Sequence, residues 1–118
     1  MKYTQIKSFA DFKRKASIGS KIHTIFHRES AGRDENGIIQ FKDLDKGIRE
    51  VSKTQTNSFS LKTTKSDGTL TDSWCYWPKA SQTIVNENNT ITIMEEDCRT
   101  NSPTFNQLIP MLTYGIVE

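Results

Sequence analysis

From Arg49 to Ser81 the chain reads REVSKTQTNSFSLKTTKSDGTLTDSWCYWPKAS, and this stretch decides the fold class. Polar and apolar residues alternate through Ser58-Phe59-Ser60-Leu61-Lys62, and Ser66-Asp67-Gly68 supplies turn chemistry. Such a pattern, rich in β-branched and aromatic residues, predicts half-buried strands joined as a hairpin. Phe59 and Leu61 then fall on one face, with Ser58, Ser60 and Lys62 on the other. In the next strand, Leu70 to Trp77, Trp74 and Tyr76 share one face while Cys75 and Trp77 share the opposite one. Pro78 ends that strand because it has no amide hydrogen to donate to a ladder. Aromatics on both faces mean that one face is core and the other is covered or used.

Toward the C-terminus, Gln82 to Val85, a turn at Asn86 to Asn89, and Thr90 to Met94 predict a second hairpin in which Ile91 and Ile93 point the same way. Phe105, Leu108, Ile109 and Leu112 have helical spacing, but Pro110 interrupts them, so the expectation is one helical turn followed by a last strand over Leu112 to Val117. Toward the N-terminus, Ile48 to Thr56 forms a strand that turns at Thr56-Asn57. Before it, Glu29 to Gly47 is a charged, glycine-punctuated excursion, either carrying a short strand at Ile38 to Phe41 or serving as a mobile binding loop. Lys21 to Arg28 reads as the first strand. Ser8 is placed to cap a helix over about Phe9 to Ser17, with Asp11 in its first turn and Phe9, Phe12 and Ala16 on one face. Lys13, Arg14 and Lys15 suit the negative end of its dipole, and Gly19 stops it.

A chain of 118 residues fits a single domain, 1–118, with the helix preceding a β-structure from about residue 21 onward. Five or six short strands with frequent turns predict a small, partly open SH3-like barrel with the helix over one mouth, and an OB-like barrel as the alternative. Hydrophobic residues make up only 34%, yet six Phe, three Tyr and two Trp can fill a small core, which argues against wholesale disorder. No apolar run reaches the length of a membrane span or a signal-peptide core, so a cytoplasmic protein that does not engage membranes is the expectation. Cys75 and Cys98 have no CxxC spacing and read as free thiols.

The net charge is +2, but it is unevenly spread. Residues 1–30 hold Lys2, Lys7, Lys13, Arg14, Lys15, Lys21 and Arg28 against Asp11 and Glu29, whereas residues 83–118 hold Arg99 against Glu87, Glu95, Glu96, Asp97 and Glu118. A basic face of this kind attracts phosphates or acidic proteins, but ordinary solvated faces are the favoured account.

No catalytic constellation accompanies these features. His23 and His27 have the i,i+4 spacing that would join them at one metal on a helix, but on a strand they stand about 13 Å apart. The hydroxyls at Ser58, Ser60, Thr63, Thr64 and Ser73 are those of a solvated sheet, without a nucleophile elbow. Glu95-Glu96-Asp97 reads as a solvated turn. The chain is therefore expected to be non-catalytic, without cofactor or metal.

Gly19, Arg49-x-Val51, Gln55-Thr56-Asn57-Ser58-Phe59 and Ser73-Trp74-x-x-Trp77-Pro78-Lys79-Ala80 form a pattern across the middle two-thirds of the chain. It resembles a group of short bacterial, phage- or plasmid-borne proteins with no assigned activity. The resemblance implies a mobile-element origin and supplies no catalytic residue to carry over.

Binding is the remaining class. Trp77, Tyr76, Phe59 and Phe41 form a candidate stacking platform, with Arg49, Lys53, Lys62 and Lys79 to meet phosphates, as in single-strand-binding barrels. A host or self protein docking on an exposed edge strand or on the Glu29 to Gly47 excursion is favoured over single-stranded nucleic acid, since the net charge is modest.

Overall fold

The computed structural model describes residues 1–118. One short helix, α1 (Phe9–Lys15), precedes β1 (Lys21–Arg33), β2 (Ile39–Thr54), β3 (Ser58–Thr64), β4 (Leu70–Tyr76), β5 (Thr83–Val85), β6 (Thr90–Glu96) and β7 (Leu108–Ile116). All seven strands join one antiparallel sheet in the order β4-β3-β2-β1-β7-β6-β5. Chain neighbours are therefore sheet neighbours except at one place. β4 and β5 are consecutive in sequence yet form the two edges, joined only through Trp77 to Gln82. So short a connection forces the sheet to curl until its edges approach, and the sheet stays unclosed between them. No helix is long and apolar enough to cross a membrane.

The core fills the concave side. Phe59, Leu61, Val51, Ile22, Ile91 and Phe12 are completely or almost completely buried. Phe59 stacks on Trp77 with ring centroids 4.4 Å apart, while Phe12 stacks on Tyr114 and meets Trp77 edge-on. Helix α1 begins as expected, with the Ser8 hydroxyl accepting from the Asp11 amide at 3.0 Å. It ends sooner than expected, because Ala16 already leaves helical geometry, although Ala16 remains buried on the face of Phe12.

Other expectations need correction. Of the two readings of the Glu29 to Gly47 excursion, the mobile loop is overturned, and the strand expected at Ile38 to Phe41 is part of a much longer one: β1 runs on to Arg33 and β2 starts at Ile39, so the two form a long ribbon. Its far half contains no buried residue, and only Glu29, Ile39 and Phe41 are partly covered there, which weakens the hydrophobic alternation that marks a strand in sequence. Gly47, at a φ of 77°, sits where the pairing register shifts, and its amide donates to Asp45 Oδ1 at 2.7 Å. The projecting ribbon explains a radius of gyration of 15.3 Å, against about 13.5 Å expected for a compact chain of this length.

The second correction is at the C-terminus, where β7 begins at Leu108 rather than after a helical turn. Pro110 is accommodated because the β1 ladder on that side of β7 ends at the Phe26–Leu112 pair, so no partner strand awaits its missing amide hydrogen. Arg28 fills the space instead, donating to the carbonyls of Glu95, Glu96, Ile109 and Pro110.

The segment before β7 is organised by Asp97, which is 1% exposed. Its carboxylate accepts from Arg99 Nε and Nη2, each at 2.9 Å, and from the Thr104 hydroxyl. The Glu95 to Asp97 run is thus not uniformly a solvated turn. Arg99 and the Thr104 and Ser102 hydroxyls hold the Asp97 carboxyl far below the usual carboxylate range, against the opposing effect of burial. A group whose folded pKa is depressed contributes stability that is complete above its unfolded pKa and lost as pH falls toward the folded value. Asp97→Asn should therefore lower the urea midpoint by an amount constant above about pH 4, and the gap from the unsubstituted protein should narrow below it. A gap that widens with acid would refute the assignment.

Candidate functional site: the open seam of the sheet

Strand β4 is hydrogen-bonded to β3 along its whole length and to nothing on its other side. Alternation in LTDSWCY turns Cys75 inward and leaves Trp74 and Tyr76 outward, 45% and 83% exposed. Between this edge and the β6–β7 pair opens a cavity of about 470 Å³. Cys75, Trp77, Ile93, Met111, Leu112 and Tyr114 supply its predominantly apolar lining, with Lys79 and Glu95 also on its wall. The Trp77 indole N–H is buried without an acceptor. Burial pushes the Tyr114 phenol well above its ordinary value, so it stays neutral.

The expected stacking platform is not assembled. Phe59 is fully buried, and Trp77 packs among Phe59, Phe12 and Phe9, because the inward face of β4 is the one Trp77 shares with Cys75. The outward aromatic partner of Tyr76 is Trp74, as the alternation of the strand dictates. Phe41 lies away on the ribbon under the Arg99 guanidinium, 4.3 Å from its ring centroid. Arg49 points into the concave side, where its Nη2 reaches the buried Thr24.

The cations expected beside that platform are largely engaged. Lys62 Nζ lies 2.6 Å from Glu50, and Lys53 Nζ 3.3 Å from Asp72. Of the eight candidate residues, only Tyr76 and Lys79 stand at the seam with exposed side chains free of an ion pair.

His23 and His27 lie on the convex face, each with its own carboxylate. His27 Nδ1 is 2.7 Å from Asp43 and Nε2 is 2.6 Å from the Thr113 hydroxyl. His23 Nε2 is 2.9 Å from Asp45 and Nδ1 is 2.6 Å from the Tyr3 hydroxyl. Asp45 is held below the ordinary carboxylate range, first by the Gly47 amide and then by His23. Pairing across strands, invisible in sequence, is what selects these partners.

In comparisons with protein-family models, curated proteins and solved structures, nothing matches this chain. The geometry therefore carries the functional reading alone. If Trp77 is a core residue and Trp74 a surface one, acrylamide should quench the fluorescence of the Trp77→Phe protein severalfold more steeply than that of the Trp74→Phe protein. Equal quenching would contradict the placement of both indoles.

Proposed function

We propose that the protein is a non-catalytic binding module that receives an extended segment of a protein partner along β4. One observation carries this reading: β4 is an unpaired edge of seven residues with two exposed aromatics and no blunting device. Native sheets protect such edges with lysine, proline or a covering element. LTDSWCY has only Asp72 as a charge, and proline comes only after the strand, at Pro78. An added strand would satisfy the free backbone groups of β4, while its side chains meet Trp74 and Tyr76 on one face and the apolar cavity on the other. The reading treats the curled sheet as a partly open barrel lacking one strand and does not depend on SH3-like or OB-like closure. It assumes the cytoplasm, where the free thiols Cys75 and Cys98 would persist, and a host or self partner in keeping with a mobile-element origin.

A display library of unstructured peptides should enrich binders to the intact protein. Their affinity should fall about tenfold or more in a Trp74→Ala, Tyr76→Ala double variant, because exposed aromatics dominate contacts of this kind. Binders unaffected by both changes would sink the proposal. Concentration-dependent sedimentation separates a second copy from a foreign partner.

Single-stranded nucleic acid is the weaker reading, since Lys53 and Lys62 face carboxylates and Phe59 and Trp77 are packed away. A fluorescence titration with a single-stranded oligonucleotide should show no saturable binding even at low salt. Tight binding that weakens steeply as salt rises would reverse the order of the two readings.

A further inference from the structure

The concave side of the sheet holds a cation without a counter-ion. Arg49 extends from β2 toward β1 and β3, where Nη2 donates to Thr24 Oγ1 at 3.5 Å and Nη1 to Thr63 Oγ1 at 3.4 Å. Both distances exceed the usual range for such bonds, which ends near 3.2 Å. Its Nε–H is buried with no acceptor at all. No carboxylate forms an ion pair with Arg49, whereas the neighbouring acids Glu50 and Asp72 pair with Lys62 and Lys53. A guanidinium can give five hydrogen bonds, and one turned inward with so few good acceptors has an unmet demand for an anion.

Beside Arg49 opens a cavity of about 270 Å³. Thr24, Ser73, Cys75 and Tyr114 line it, Lys46 adds a second positive charge, and no lining residue is acidic. The Ser73 hydroxyl already donates to Thr63 at 2.8 Å, so the polar wall is internally ordered. Cys75, Leu112 and Tyr114 also line the apolar cavity of the seam. A polar, positive recess thus borders an apolar one along a shared wall.

We propose that this recess binds a small organic anion with an apolar body, its carboxylate at Arg49 and its hydrocarbon part against Leu112, Cys75 and Tyr114 toward the seam. A planar carboxylate matches the guanidinium fork. A monoanion is favoured over a phosphate dianion because only one cation, Arg49, is turned into the recess; Lys46 is exposed. This site is distinct from the β4 edge, and its test does not depend on a peptide docking there.

The test uses octanoate and octanol, equal in chain length and different in charge. Titrated into the isotope-labelled full chain, octanoate should bind saturably and shift one arginine Nε–H resonance, assigned by its loss in Arg49→Met. Octanol should bind about tenfold or more weakly, and Arg49→Met should weaken octanoate by a similar factor while leaving octanol unchanged. The comparison of the two ligands on the unsubstituted protein decides the matter even if the variant does not fold. Equal affinity for acid and alcohol, absence of saturable octanoate binding, or an Arg49 resonance that does not move would each overturn the proposal.

Discussion

The contact between Phe59 and Trp77, centroids 4.4 Å apart, is what the rest of the structure depends on. In a closed barrel, backbone hydrogen bonds run round the whole circumference, but here the ladder stops at β4 on one side and β5 on the other. Curvature must be held by side chains across the gap. Trp77 stands just beyond β4 and touches Phe59 from β3 and Phe12 and Phe9 from α1, and Tyr114 of β7 packs on the same cluster. Lys13 closes the outer side, 5.6 Å from the Trp77 ring, while donating to the Thr56 carbonyl. Aromatic pairs contribute beyond their buried area, so a small cluster can hold an open sheet curled.

Polar groups are distributed by the same geometry. On the convex face a hydrogen-bond chain crosses the strands: Asn86 Nδ2 donates to Thr92, Thr92 and Thr113 lie 2.9 Å apart, and Thr113 meets His27, which faces Asp43. One orientation satisfies every member, with Thr92 donating to Thr113, Thr113 to His27 Nε2, and His27 Nδ1 to Asp43. A chain so completed rigidifies the sheet and leaves little capacity for a ligand. The concave side is the reverse case, for Arg49 has long, sparse partners there. Unpaired polar groups are therefore concentrated inside the curl and along its open edge.

The Gln55-Thr56-Asn57 and Trp77-Pro78-Lys79 segments acquire a structural meaning in this arrangement. The Trp77 amide donates to the Asn57 carbonyl at 2.9 Å, and the Gly19 amide to the Val51 carbonyl at the same distance. Gln-Thr-Asn and Trp-Pro-Lys thus meet where β3 begins and β4 ends, beside the helix that covers their aromatic cluster.

Local chemistry determined much of this protein. The Ser8 cap, the Asp67-Gly68 hairpin, the alternation in β3 and β4 and the shared face of Ile91 and Ile93 were all legible, because each depends on residues close in sequence. Alternation also separated Trp74 and Tyr76 from Cys75 and Trp77. It left open which pair faces inward, since that depends on which side of the sheet is concave. Tertiary structure alone decided this, together with the projecting ribbon, whose far half buries no residue and so shows little hydrophobic period, and the tolerance of Pro110, which depends on where a distant ladder stops. The pairing of Lys53 and Lys62 with carboxylates and the isolation of Arg49 belong to the same class. Charge partners are chosen by strand register across the sheet, and register is a property of the folded chain.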